Sequence, residues 1–366
     1  MNNKDFPSVR AVFGQRSNSC GSFGTLPVRS AALSDADPNR GLVPPGVPAL
    51  KVPTDAFTAY HGQQPAGPLS AREGNPATRY SSGSHNGRSS QPPSPRADLR
   101  HAADPHYVRE YMKDIMDSLF RAEGRLDRQL YMPVQPDISE KNRMVLIDWL
   151  VEVHLKFKCR HETLFLAVDV VDRYLMTGNR TSRSMLQLVG VTSMLLAAKY
   201  EEIWPPEVKD CVYISANTYT REEILKTERG ICQALGFKLT LPNVMHFLSR
   251  LLDVSEADTV SRHLAYYFAE TSLLHYQLLT CKPSIVAAAC VVLANVTQRA
   301  AEPWTPTLRH YARCSLTEAS DVAKRLLEFT HTVAASKYTA IVRKYSVGKF
   351  NEVSKMPLPT PDQLPN

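Results

Sequence analysis

Along most of this chain the apolar positions recur at helical spacing, and nowhere does strict alternation run long enough to predict a strand. The pattern begins at Asp104-Pro105, a favoured helix start, after which Tyr107, Tyr111, Ile115 and Leu119 follow four residues apart. This predicts a lone helix of about four turns, with the Pro-interrupted stretch "YMPVQPDIS" after it as a linker. Helices are then predicted over 139–158, 161–176, 183–201, 207–214 and 220–235. Gly236 and "LTLPN" break the series. A second set follows over 242–252, 256–275, 282–298, 306–311 and 316–333, with a short tail helix over 336–346.

The two sets share a plan. "SMLQLVGVTSMLLAAKY" (184–200) and "KPSIVAAACVVLANVTQ" (282–298) are apolar on nearly every side and rich in small residues. A helix apolar all round has other helices on all sides. Small residues, among them Gly190, Ser193, Ala197, Ala198 and Ala287 to Ala289, let those neighbours come close. Superposing the two helices gives an internal period of about 97 residues, so the expected fold is all-α, two small bundles each built round one central helix. Neither set carries heptads, which excludes a coiled coil.

Residues 1–103 have no such period. Runs such as "GLVPPGVPALKVP" and "RYSSGSHNGRSSQPPSPR" cannot bury enough apolar surface to offset the entropy of ordering, so a disordered tail is expected. Residues 1–100 hold eleven Lys and Arg against six Asp and Glu, most of the chain's net +7. The rest is close to neutral, and the basic balance is no argument for nucleic-acid binding by the folded part. The seven cysteines are an odd number without a CxxC, as in reduced, buried thiols. The N-terminus lacks the apolar run of a signal peptide. No GxGxxG, Walker A, GxSxG or HExxH occurs, and His, Cys and carboxylates never cluster at metal spacing. The expectation is a binding protein with no catalytic residue, no cofactor and no metal.

Two helices carry an anomaly. In "EILKTERGICQAL" (223–235), Ile224, Leu225, Ile231, Cys232 and Leu235 form one apolar arc, and Glu228 falls inside it. A carboxylate there needs a partner, either Lys199 or another cation of this chain, or a group on a second polypeptide. In "NRMVLIDWLVEVHLKF" (142–157), Met144, Ile147, Val151 and Leu155 form a core face. Val145, Trp149 and Val153 lie on a second one, to be covered by the N-terminal helix or left for a ligand.

"RMVLIDWLVEVHLKF" (143–157), "ETLFLAVDVVDRYL" (162–175), "LQLVGVTSMLLAAKYEEIWPPEV" (186–208), "YTREEILKTE" (219–228) and "WTPTLRHY" (304–311) together resemble the cyclin box, and most of all the mitotic, B-type cyclins. The resemblance implies two tandem five-helix bundles with an N-terminal helix. The organisation expected is a tail over 1–103, N-terminal helix and linker over 104–136, cyclin boxes over 137–240 and 241–350, and a disordered C-terminus over 351–366. It also implies a regulatory subunit, not an enzyme: a protein that binds and activates a cyclin-dependent serine/threonine kinase at the G2/M transition.

Site residues follow from the same resemblance. Lys199 and Glu228, with Tyr200, Phe237 and Leu239, match kinase-binding positions, which implies that a second polypeptide completes the pair at 199 and 228. Asn142, Val145, Leu146, Trp149, Glu152, Leu186 and Gln187 match a groove that docks Arg-x-Leu motifs of substrates or inhibitors; Asn142 stands where the family usually has Met. Arg143 and Asp172 match a structural ion pair within the box. "RAVFGQRSN" (10–18) resembles a destruction box through Arg10 and Asn18, with Phe13 in place of the usual Leu. It implies recognition by the mitotic ubiquitin ligase and degradation; "RADLRHAAD" (96–104) is a weaker candidate. Ser94-Pro95 is a candidate for proline-directed phosphorylation. The expected location is nucleus and cytoplasm. The alternative is a transcription-type cyclin or a general-transcription-factor core on the same fold; the latter would carry a zinc ribbon, for which no CxxC pair exists here.

Overall fold

The computed structural model describes residues 107–336 and 338–365. The tail, with Arg10, Phe13, Asn18, Ser94 and Cys20, lies outside the described residues. Among the described residues there is no strand. A 3-10 turn (Arg109–Tyr111) leads into α1 (Met112–Glu123). The first bundle is α2 (Glu140–Phe157), α3 (His161–Met176), α4 (Leu186–Glu201), α5 (Val208–Ile214) and α6 (Arg221–Ala234). The second is α7 (Val244–Val254), α8 (Thr259–Leu274), α9 (Pro283–Thr297), α10 (Pro306–Ala312) and α11 (Leu316–Ala334), followed by α12 (Ala340–Lys344). The internal repeat is visible in the helix starts. Those at 161 and 259, 186 and 283, and 208 and 306 are each 97 or 98 residues apart.

The helix starts are written in local chemistry. Ser139 accepts from Asn142 N–H while Asn142 accepts from Ser139 N–H, a reciprocal cap for α2. Thr220 with Glu223 and Ser315 with Glu318 do the same for α6 and α11. Pro283 and Pro306 open α9 and α10, where a missing N–H costs nothing. α4 is buried continuously from Leu186 to Ala198, and α9 from Val286 to Ala294. Each is the axis of its bundle, which is why neither shows a polar face. At Gly190 a Cβ would come 2.6 Å from Leu146 Cδ1, so the close crossing of α4 over α2 leaves no room for a side chain there unless Leu146 shifts.

Three expectations change. The buried side of α1 is not the Tyr107–Tyr111–Ile115–Leu119 stripe; Tyr111 and Ile115 are exposed, while Met116 and Glu123 are buried and Met112, Leu119 and Phe120 pack on the core. That side faces the second bundle. Phe120 meets Phe247 of α7 at 4.9 Å between ring centres, and Glu123 accepts from both the N–H and the hydroxyl of Ser284, each at 2.7 Å. Glu123 thereby supplies the start of α9, whose own N-cap Lys282 offers no side-chain cap, with the negative charge its dipole favours. On α2, Leu155 is exposed, because the helix leaves the core over its last turn. Residues 351–365, expected to be disordered, form short turns at Val353–Lys355 and Pro361–Gln363 and bury Val353 and Leu364.

Six described cysteines are free thiols. Burial pushes Cys159 and Cys211 up to about 12 and Cys314 to about 11, so none of these three is a thiolate at neutral pH.

Candidate functional site

Lys199 is the first residue of α4 to emerge from the core, in the last turn, where the helix dipole favours a cation. Ile224 and Ile231, both fully buried, fix the face of α6 that carries Glu228. Lys199 Nζ stands 2.5 Å from Glu228 Oε1, with side-chain exposures of 43% and 16%. The expectation that a second polypeptide alone satisfies Glu228 is therefore corrected: in the free chain the carboxylate is met by Lys199. The pair is nonetheless open to solvent on the lysine side.

Large apolar groups stand near this pair along the chain. Tyr200 is about half exposed and its hydroxyl bonds Thr240 Oγ1. Phe237 is 72% exposed and sits at φ 58°, a left-handed conformation that costs a non-glycine residue about 1–2 kcal/mol. The loop after α6 is fastened by Arg173 Nη2, which donates to Lys238 O at 2.5 Å. Leu239 differs: it is half-buried against the core, not a free contact. Sequence reasoning missed Ile203 and Trp204, at 88% and 90% the most exposed of the large apolar residues described. Their signal was available in "YEEIWPPE", two bulky apolar residues between an acidic pair and a Pro-Pro turn with no helical period to bury them. Glu202 was missed as well. It accepts from Arg160 N–H at 2.7 Å and Thr163 Oγ1 at 2.5 Å, and so caps α3, whose N-cap Arg160 lacks a side-chain cap.

The second candidate face belongs to α2 and the start of α4. Leu146 and Leu186 are fully buried and belong to the core, not to a groove wall, which corrects their assignment. Trp149 and Gln187 are 4% and 3% exposed, and the indole N–H and the Gln187 amide nitrogen are buried donors without an acceptor. Val145 is half-buried. Asn142 uses its amide oxygen in the α2 cap, which gives a local reason for Asn at this position. Glu152 pairs with Arg343 of α12.

Arg143 and Asp172 are brought together at the junction of the bundles. Arg143 Nε and Nη2 each donate to one Asp172 oxygen at 2.7 Å, Nη1 donates to Leu273 O of α8 at 2.8 Å, and Tyr131 OH donates to Asp172 at 2.8 Å. Although burial opposes it, Asp172 holds the guanidinium's proton well above the usual range. A second buried knot lies between α3, α8 and α12. Glu270 Oε1 accepts from Lys344 Nζ at 2.5 Å and Tyr345 OH at 2.9 Å, and lies 2.8 Å from His161 Nδ1. Burial alone would raise the Glu270 carboxyl, but Lys344 and His161 hold it well below the carboxylate range.

Two family models cover most of the described chain: the cyclin N-terminal domain matches residues 114–240 and the cyclin C-terminal domain residues 242–359. A G2/mitotic-specific cyclin-2 of Antirrhinum majus is 41% identical over 255 residues, 69% of this chain and 57% of that protein. Cyclin-B1-1 of Oryza sativa subsp. japonica is 40% identical over 68% of this chain and 56% of its own length. A G2/mitotic-specific cyclin-B of Hydra vulgaris is 38% identical over 260 residues, 71% of this chain and 72% of that protein. The chain thus spans little more than half of the first two relatives. In fold it is similar to the crystal structure of a viral cyclin from herpesvirus saimiri, with a TM-score of 0.55 at 19% identity, covering 62% of this chain and 99% of that one.

Proposed function

The chain belongs to the cyclin family, with similarity to mitotic B-type members, and from that premise we propose that it is the regulatory subunit of a cyclin-dependent serine/threonine kinase acting at the G2/M transition. The observation that carries this reading is the charged pair Lys199 and Glu228, with Tyr200, Ile203, Trp204 and Phe237 near it along the chain and all left in solvent. Exposed apolar residues beside a fixed charge pair are the ingredients of a protein interface. On docking, the pair is desolvated and its remaining donors and acceptors turn to groups of the kinase. A surface that binds the active arrangement of the kinase better than the inactive one shifts that equilibrium by the difference in affinity, and needs no catalytic group of its own.

The test is capture of a cyclin-dependent kinase by purified full-length chain. With Lys199 open to water both Lys199→Ala and Glu228→Ala should still fold, Lys199→Ala at a cost of about 1–3 kcal/mol because it leaves the largely shielded Glu228 unpaired. Each weakens capture by about 2–5 kcal/mol, the cost of leaving one charge of a buried interfacial pair alone. Capture unchanged in both variants would refute the reading.

Three further parts of the proposal rest on separate residues. The α2 face docks extended Arg-x-Leu segments of substrates or inhibitors, with the partly exposed Val145 and the Glu152 carboxylate as its accessible groups. Arg10, Phe13 and Asn18 form a destruction box read by the mitotic ubiquitin ligase. The protein divides its time between nucleus and cytoplasm. Loss of the mitotic fall in abundance on Arg10→Ala tests the second, and imaging of a tagged chain through division tests the third.

A further inference from the structure

The outer side of α2 receives a contact from the chain's own C-terminal helix. Ala340 N–H donates to Asp148 Oδ1 at 3.0 Å, and one turn along both helices Arg343 Nη2 pairs with Glu152 Oε1. Arg343 does not reach over from a loose tail. Its neighbours Lys344 and Tyr345 are buried on Glu270, and Ala340 and Ile341 are buried as well. The guanidinium is thus delivered to Glu152 from a fixed backbone, which keeps its reach within range of that carboxylate. Asp148 is committed to a backbone N–H, and burial pushes its carboxyl up to about 6. With Asp148 engaged by the Ala340 N–H, Glu152, one turn on and beside Trp149, is the carboxylate of this face left to meet a side-chain cation, and Arg343 already meets it.

We propose that Arg343 is a specificity-determining residue of the α2 face, selecting against docking segments whose binding depends on a cation at Glu152. This rests on the docking role proposed above. An Arg-x-Leu segment must displace an intramolecular competitor held in place, whereas a segment uncharged at that position meets no competition. Glu152 is largely shielded and Arg343 about half exposed, so the competitor lowers the affinity for an arginine-bearing segment roughly fivefold.

Fluorescence polarisation with a labelled Arg-x-Leu peptide and its Arg-to-Ala twin tests this on the full chain, at about 0.1 M salt so that screening stays modest. Arg343→Gln should bind the arginine peptide about fivefold more tightly than the unaltered chain and the twin equally well. Arg343→Lys, which keeps the pairing, should behave as the unaltered chain. Arg343→Gln combined with Glu152→Gln should show no gain. Equal affinity of Arg343→Gln and the unaltered chain for the arginine peptide, no binding to Arg343→Gln, a gain shared by the twin, or a gain persisting without Glu152 would each overturn the proposal. Kinase capture by the same proteins reads the regulatory-subunit proposal separately. If capture fails while the peptide gain is present, the regulatory-subunit proposal falls and the role of Arg343 stands. If capture succeeds while the gain is missing, the role of Arg343 falls and the regulatory subunit stands.

Discussion

Replacing Asp172 by Asn removes the counter-charge of a guanidinium buried at the joint between the two bundles. Arg143 and Asp172 are 3% and 4% exposed at their side chains. Asp172 accepts three hydrogen bonds, two from Arg143 and one from Tyr131 OH. Asn keeps one acceptor oxygen and turns an amide donor toward the arginine, so at least one charge-assisted bond is lost and one donor faces another. Breaking a buried pair from one side costs about 3–5 kcal/mol. A cavity of about 50 Å³ lined by Arg128, Arg143, Asp169 and Asp172 adjoins the site, and water entering it brings the figure to the lower end, about 3 kcal/mol. Arg143→Met costs a similar ~3 kcal/mol, because Asp172 is left with Tyr131 alone and Leu273 O loses its donor. The double variant Arg143→Met with Asp172→Asn removes both charges and leaves only Leu273 O and the new side-chain amide N–H without partners, for a total again near ~3 kcal/mol. Additive single effects would predict about 6, so the cycle yields a coupling of ~3 kcal/mol. Urea unfolding followed by far-ultraviolet circular dichroism measures all four chains. An Asp172→Asn cost below about 1 kcal/mol, or a double variant at the additive sum, would refute the assignment of this pair as the fastening of the two bundles.

Other substitutions probe the packing, the buried histidine and the exposed face. Gly190→Ala puts a methyl 2.6 Å from Leu146 Cδ1 in a filled core and should cost about 1–3 kcal/mol, read from the shift in urea midpoint. His154 is buried, and desolvation lowers it to about 3. As pH falls below its unfolded value near 6.5, the unfolded chain takes up a proton that the folded chain refuses, so stability drops by about 1.4 kcal/mol per pH unit. About 3 kcal/mol is lost between pH 7 and 4 from this group. Asp148, raised by burial to about 6, acts in the opposite sense over the lower part of that range. His154→Gln should flatten the acid limb by one proton, whatever its effect at pH 7. Phe237→Gly relieves a left-handed φ that Phe237→Ala does not, and should be about 1 kcal/mol more stable than the Ala variant in thermal unfolding, while both lose kinase affinity.

How much of this was legible depends on the range of the interaction. Helix starts at Ser139, Thr220 and Ser315 are fixed by partners three residues away, and spacing reveals them. The two central helices declare themselves through the absence of a polar face. The side of α1 was misread because it has two apolar stripes one residue apart, Tyr111–Ile115 and Met112–Met116. Periodicity cannot choose between them; Phe247 and Ser284, more than a hundred residues away, do. Residues 351–365 lack any period and are ordered only through tertiary burial of Val353 and Leu364. The Glu270–Lys344 and Glu152–Arg343 pairs span 74 and 191 residues, and nothing local to either partner announces them.

The same division bears on the surface around Lys199 and Glu228. The pair by itself contributes little to folding, since its lysine is open to water. Beside it along the chain, Ile203, Trp204 and Phe237 leave apolar area in solvent, and Phe237 does so from a conformation that a glycine would hold at lower cost. None of these features stabilises the isolated chain, and together they oppose its solubility. The helices beneath them are held rigidly: α4 is surrounded over its whole buried length, α6 is capped at Thr220 and Glu223, and the loop after it is fastened by Arg173 to Lys238. A rigid base under residues that do nothing for the free protein is the arrangement expected where the missing stabilisation comes from a second surface. Its energy belongs to a complex, and binding measurements, not unfolding measurements, are where Lys199, Glu228 and Trp204 should register most strongly.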